Sequence, residues 1–174
     1  EIFTAAGYGV SGVLFNIVIT GTVNLIFTLI AIRLVDRLGR KPLMMAGSAG
    51  LAVVFGLIGA SYAVHSRGVH LLALVVVAMA LYALSLAPVT WVLLSEIFPN
   101  RIRGAAMSVS TVSLWSACFV LTYTFPLLNK GLGPAGTFWI YAGISVFGFI
   151  FIRSRVRETK GKTLEQIERE FVGR

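Results

Sequence analysis

Residues 42–64 read PLMMAGSAGLAVVFGLIGASYAV, a run without one charge, entered through Arg40 and Lys41. At about 1.5 Å per residue such a helix rises ~35 Å, enough to cross a hydrocarbon core about 30 Å thick. A charged side chain at the bilayer centre costs about 2.5–3.5 kcal/mol on insertion scales, so a chain that spans lipid sends its charges to the loops. The pattern repeats along the sequence. Between Arg40 and Arg153 the long apolar runs are free of charge, and nearly every Lys and Arg falls in alternate gaps between them. A soluble helical protein would also carry charges on its outward helix faces, and these runs have none.

The composition agrees. Of 174 residues, 57% are hydrophobic and 13% charged, whereas ordinary soluble domains carry about a quarter charged residues. Mean hydropathy is +0.87. The net charge of +8 raises the question of nucleic acid. Its placement answers no, because the basic residues sit at the ends of apolar runs rather than on one exposed face. The single cysteine, Cys118, lies inside an apolar run and has no partner for an intrachain disulfide. The chain opens at Glu1 without an initiator Met or signal peptide; it is expected to be a piece of something longer.

Five membrane helices are predicted, at about 8–32, 42–64, 70–94, 104–127 and 134–153. Period-two alternation is absent, so the fold class is an all-α membrane protein. One set of gaps holds Arg33, Arg37, Arg40, Lys41, Arg101, Arg103 and the basic tail from Arg153; the other holds Glu1, Arg67 and Lys130 with His65 and His70. The positive-inside rule makes the first set cytoplasmic, with the N-terminus outside and the C-terminus inside. The region 1–153 is then the membrane part and 154–174 a cytoplasmic tail. In that tail Thr163 and Gln166 fit a capping box, and Leu164, Ile167 and Phe171 recur at helical spacing. A short amphipathic helix is expected there, serving as a clamp on other cytoplasmic segments or lying as a solvated tail.

Several patterns inside the spans bear on packing and binding. Ala52, Gly56 and Ala60 recur every fourth residue, a spacing that lets two helix backbones approach. Asn16, Thr20, Asn24 and Thr28 make a polar stripe on the first span. On the fourth, Ser108, Thr111, Trp115, Cys118 and Thr122 fall within about 80° of arc on an ideal helix. Such stripes either hold helices together or face a water-filled cavity. For Asn24 both readings stay open, because an amide has four hydrogen-bonding sites and one neighbour seldom satisfies them. Pro88 interrupts the third span, and Trp91 follows well inside it. That Trp either fills space between helices or stacks on a flat ligand face while donating through its indole N–H. His65 and His70 are too few for a metal site, no cofactor is implied, and no nucleophile–base pair or phosphate loop is present. An enzyme is not expected.

Three stretches carry a family resemblance. Asp36-Arg37-Leu38-Gly39-Arg40-Lys41 resembles the D-R-x-G-R-[RK] loop motif of the major facilitator superfamily. Residues 88–104, PVTWVLLSEIFPNRIRG, resemble the tenth-helix signature of its sugar porter family. Glu158-Thr159-Lys160-Gly161-Lys162-Thr163-Leu164-Glu165 resembles that family's C-terminal box. Bacterial proton–sugar symporters of the xylose type are the nearest in pattern. The resemblance covers nearly the whole chain and implies helices eight to twelve of a twelve-helix transporter, most of its C-terminal half-bundle. The N-terminal half would then be a partner, together with membrane lipids, a hexose or pentose substrate, and protons handled in the absent half. The location would be a plasma or bacterial inner membrane.

The resemblance further implies roles for single residues. Asn24 matches a helix-eight asparagine that bonds sugar hydroxyls, with Thr28 one turn on. Trp91 matches a tryptophan beneath the sugar, Tyr82 an aromatic lining position, and Trp115 a tryptophan at the site edge. Tyr82 and Trp91 stand half a turn apart on a straight helix, so the Pro88 interruption must help if both face the cavity. Asp36, Arg40, Glu96 and Arg103 match a cytoplasmic charge network that pairs and separates as the transporter changes access. Leu114, Ala87 and Arg157 depart from the family pattern; the first bears on which sugar is taken, the other two on gating. The alternatives are a carrier of another polyol or an organic acid, and a truncated scaffold or remnant without transport.

Overall fold

The computed structural model describes residues 10–65, 68–99 and 101–161, with residues 10–16 given by their backbone alone. Among the described residues five helices follow in order: α1 (Val10–Leu38), α2 (Arg40–Ala63), α3 (Val69–Leu84), α4 (Leu86–Ile97) and α5 (Arg103–Arg155). There is no strand among the described residues. The predicted tail helix and Asn16's side chain lie outside the described residues.

The five expected spans fall on four continuous stretches long and apolar enough to cross a membrane: Ile17–Leu38, Arg40–Ala63, Val69–Ile97 and Arg103–Arg155. The last holds both the fourth and the fifth predicted spans. Its 53 residues would measure ~80 Å if straight, far beyond one bilayer. Gly133, at φ 72° and ψ 173°, divides it. Glycine adopts that backbone without a Cβ clash, and Pro134 directly after it is pre-set to start a new helix. The sequence places a loop between these spans; the helix instead runs to the Gly133–Pro134 corner.

The third predicted span is also divided, one turn earlier than the sequence suggests. Ser85 (φ −126°, ψ −79°) separates α3 from α4, three residues before Pro88. Pro88 occupies the third position of α4, where a backbone N–H has no partner within the helix, so its missing donor costs nothing there. Its ring would collide with the turn before it, and the break falls in that turn. The Ser85 hydroxyl donates to the Leu81 carbonyl, retaining one link across the break.

The central element is α2, which packs on all the others. Its first half joins Leu43 and Met44 to Val35 of α1, Val89 and Leu93 of α4 and Ile152 of α5. Its second half joins Leu51, Val54 and Ile58 to Leu71 and Ala78 of α3 and Phe138 of α5. Phe138 stacks on Tyr62 at 5.8 Å between ring centres.

On α2 it is Gly47 and Gly59, and not Gly56, that lie tight against a neighbouring helix. A Cβ on Gly47 would lie 1.8 Å from the Ser85 hydroxyl oxygen, and one on Gly59 would lie 2.5 Å from the Trp139 ring. No described residue lies within 4 Å of a Cβ on Gly56. At ~100° per residue, position 56 points away from the face that Gly47, Leu51, Val54 and Ile58 bury. Spacing alone finds a small-residue stripe but not the face that meets a neighbour.

Outward faces are apolar. Leu29, Val53, Leu57, Phe147 and Phe151 are among many large hydrophobic side chains left exposed, as expected of a surface that meets lipid or further helices.

Gly47→Val is expected to destabilise the chain by about 1–3 kcal/mol through overpacking against Ser85, while Gly56→Ala costs nothing. Thermal unfolding of both variants in the same detergent checks this; equal melting temperatures would show that α2 does not approach the break so closely.

Candidate functional site: a charged clasp and a polar recess

One residue, Gly39, joins α1 to α2. Its N–H donates to the Val35 carbonyl at 3.1 Å and closes α1; at φ 97° it turns the chain directly into α2. The first turn of α2 exposes the N–H groups of Arg40 and Lys41, while Pro42 has none. Both are taken by a carboxylate from far along the chain. Glu158 accepts from Arg40 N at 3.0 Å through Oε1 and from Lys41 N at 2.9 Å through Oε2. Oε1 also accepts from Thr159 N at 3.1 Å and Lys160 N at 2.9 Å. A Cβ on Gly39 would lie 2.8 Å from Glu158 Oε2, so this glycine answers both to its backbone angle and to the carboxylate beside it. A negative charge at a helix N-terminus is favourable in itself. Burial pushes the Glu158 carboxyl up, but the N–H groups of Lys160, Arg40, Lys41 and Thr159 outweigh it and hold the group below its ordinary 4.5.

The Arg40 side chain extends the cluster. Its Nη2 meets Glu96 Oε1 at 2.7 Å and its Nε donates to Glu96 Oε2 at 3.1 Å, a two-pronged pair from α2 to the end of α4. Its Nη1 reaches Asp36 Oδ1 at 3.2 Å and donates to the Val35 carbonyl at 3.3 Å. The Asp36 side chain is 71% exposed, so that pair adds little. The Thr159 hydroxyl donates to Glu96 Oε2 at 2.6 Å. Lys41 Nζ donates to the Arg153 carbonyl at 2.9 Å, and Lys160 Nζ donates to the Arg37 carbonyl. The ends of α1, α2, α4 and α5 are thus tied together by the chain that follows α5.

The charge network expected from sequence was Asp36, Arg40, Glu96 and Arg103. The first three are brought together. Arg103 stands apart from them: its Nε donates to the Phe98 carbonyl at 3.2 Å, and its Nη2 is buried without a partner among the described residues. Glu158 and Thr159 were missing from that set. Their box was recognised as a motif, yet the contact spans 118 residues and no local pattern announces it. The clamp expected of the tail helix at 163–171 falls outside the described residues; residues 156–161, just before it, tie the helix ends.

The expected substrate residues are distributed more widely. Asn24 and Thr28 of α1 line a recess of ≈480 Å³ that is walled on the α3 side by Met79. There the Thr28 hydroxyl donates to Asn24 Oδ1 at 3.3 Å. Tyr82 of α3 lines an adjoining apolar recess of ≈380 Å³ with Phe55, Leu86 and Phe138, and Met79 is common to both. Trp91 on α4 is 39% exposed and Trp115 on α5 is 63% exposed; neither lines these two recesses. The break at Ser85 lies between Tyr82 and Trp91.

Lipid-length apolar helices with apolar outer faces, and charges gathered into a clasp at one end, define an integral membrane protein of the helical transporter class. The chain belongs to the sugar porter family of the major facilitator superfamily: the family described as "Sugar (and other) transporter" matches residues 1–171. It is 38% identical over 173 residues to the arabinose-proton symporter of Bacillus subtilis (strain 168), which covers 99% of this chain and 37% of that protein. It is 38% identical over 174 residues to the D-xylose-proton symporter of Escherichia coli (strain K12), covering 97% of this chain and 35% of that one. The fold is shared as well. A double-tryptophan mutant of XylE superposes with a TM-score of 0.91 at 37% identity, over 97% of this chain and 37% of that one. The inward-open xylose transporter XylE from E. coli gives 0.82 at 40% identity, over 88% and 34%. The chain therefore spans little more than a third of the length of these relatives.

The Glu158 carboxyl has a lower pKa folded than unfolded. Its contribution is therefore fully present above 4.5 and is lost as pH falls through the depressed folded value. Thermal unfolding followed from about pH 7 to pH 3 should show this loss in the natural chain. Glu158→Gln should be about 1–3 kcal/mol less stable at neutral pH and flatter across the acid window. Parallel pH profiles for the two chains would sink the capping role.

Proposed function

We propose that this chain supplies most of the C-terminal half of a sugar transporter that works by alternating access, with a pentose or hexose as substrate. The observation that carries the reading is family membership along residues 1–171. Two halves of such a transporter rock about a substrate held near the membrane midplane. Asn24 and Thr28 offer hydrogen bonds to sugar hydroxyls, and Tyr82, Trp91 and Trp115 offer flat faces to its C–H surfaces. The charged gate is assigned to Asp36, Arg40 and Glu96, which pair within this chain, and to Arg103, which stands apart from them. The clasp end is cytoplasmic and the N-terminus outside, in keeping with the Lys and Arg that gather at that end. No covalent step is involved, and the chain is not an enzyme. Two relatives are named proton symporters, and a glucose facilitated diffusion protein of Zymomonas mobilis is 36% identical over 174 residues. Coupling to protons is accordingly assigned to the length those relatives have beyond this chain.

The test is uptake of radiolabelled D-xylose, L-arabinose and D-glucose into vesicles that carry this chain co-expressed with the first seven helices of a bacterial xylose symporter. Uptake is expected, falling at least tenfold in Trp91→Ala and Asn24→Ala. No uptake of any of the three, with both pieces inserted, would overturn the reading.

A further inference from the structure

Most hydroxyls on these helices look after themselves. Thr22, Ser61, Thr90 and Thr124 each return theirs to a carbonyl four residues back. That habit satisfies a donor where there is no water. Thr28 does otherwise. Its hydroxyl goes to the side-chain oxygen of Asn24 at 3.3 Å, across one helical turn. Both residues line the same recess.

The bond has a chemical consequence. An asparagine amide has an acceptor end and a donor end of nearly the same shape, and half a rotation of its last torsion exchanges them. A hydroxyl can meet either end, giving its hydrogen to the oxygen or accepting one from the nitrogen; here it is the oxygen end that faces Thr28 and takes its hydrogen. With Oδ1 held there, the Nδ2 group is turned away from Thr28 and has no hydrogen-bond partner among the described residues. Thr28 has spent its proton and can only accept.

From this juxtaposition we infer that Thr28 is a positioning residue, which fixes the Asn24 amide so that it presents N–H donors to the recess and selects a substrate oxygen acting as acceptor. The inference rests on the sugar-transport reading and deepens it: Thr28 acts through Asn24, not chiefly by its own contact with the sugar. Val in its place keeps the branched shape and removes the donor. The amide is then free to turn either end inward.

The experiment is a mutant cycle on sugar uptake in the co-expressed transporter, using Thr28→Val, Asn24→Ala, the double variant and Thr28→Ser. Thr28→Val should raise KM for the transported sugar about three- to tenfold, one neutral hydrogen bond's worth, with kcat little changed. Thr28→Ser should restore the natural value. In the Asn24→Ala background, Thr28→Val should add nothing, because the residue it orients is gone. Additive effects, or a Ser variant as poor as Val, would overturn the positioning role.

A second measurement needs no variant. Monodeoxy and monodeoxyfluoro sugars compete for uptake by the natural chain. At the hydroxyl facing Asn24, fluorine accepts but cannot donate, so the fluoro sugar should compete several-fold better than the deoxy sugar. Equal weakness of the two at every position would mean that Asn24 is not held as a donor. Absence of uptake by the natural chain would instead overturn the transport reading beneath both.

Discussion

The carboxylate of Glu158 closes the first turn of the helix on which every other helix packs. A helix start carries N–H groups with no partner inside the helix. At α2 those groups belong to Arg40 and Lys41, and nothing local can accept them: the residue before is Gly39, which has no side chain. A nearby Asp or Ser would be the usual solution. Here the cap arrives from beyond α5, and the absence of a side chain at Gly39 is what admits it. The cap therefore does two tasks with one group. It satisfies α2, and it draws the end of α5 against the α1–α2 corner, so the cluster of Val35, Leu43, Met44, Val89, Leu93 and Ile152 is closed from one end.

Much of this was legible in the sequence, for reasons that differ from element to element. Charge-free runs reveal membrane helices because lipid allows so few exceptions. Asp36, Arg40 and Glu96 were legible only through their resemblance to family motifs, and those three do come together. Arg103 shares the same motif stretch as Glu96, yet it turns to the Phe98 carbonyl, a choice made by local backbone geometry that no spacing encodes. Glu158 was hidden by distance along the chain. Pro88 announced a break but not its position, since a proline disturbs the turn before it more than its own. The small-residue stripe on α2 marks a face by its spacing without saying which neighbour lies there, and at Gly56 no described residue does. Gly133 is one of 18 glycines, and its positive φ, shared with Gly39, Gly68 and Gly161, is a property of the backbone that composition does not display.

The clasp also constrains how a gate at this end could work. The pairs of Arg40 with Glu96, of Glu158 with the α2 amides and of Thr159 with Glu96 all begin and end within this chain. Bonds internal to one packed body hold that body in shape; they do not by themselves register its position against another. Beneath them lies a close-packed cluster, and packed interiors transmit displacement rather than absorb it. Asn24 and Asp36 share α1, ~18 Å apart along its axis, and Trp91 and Glu96 share α4, so the recess and the clasp move together if the body moves as a unit. In the alternating-access cycle proposed above, the groups that would sense another half are those the clasp leaves free. Asp36, with most of its carboxylate in the open, is left free in that way. Arg40 and Glu96, bonded to each other on two atoms apiece, hold the body together.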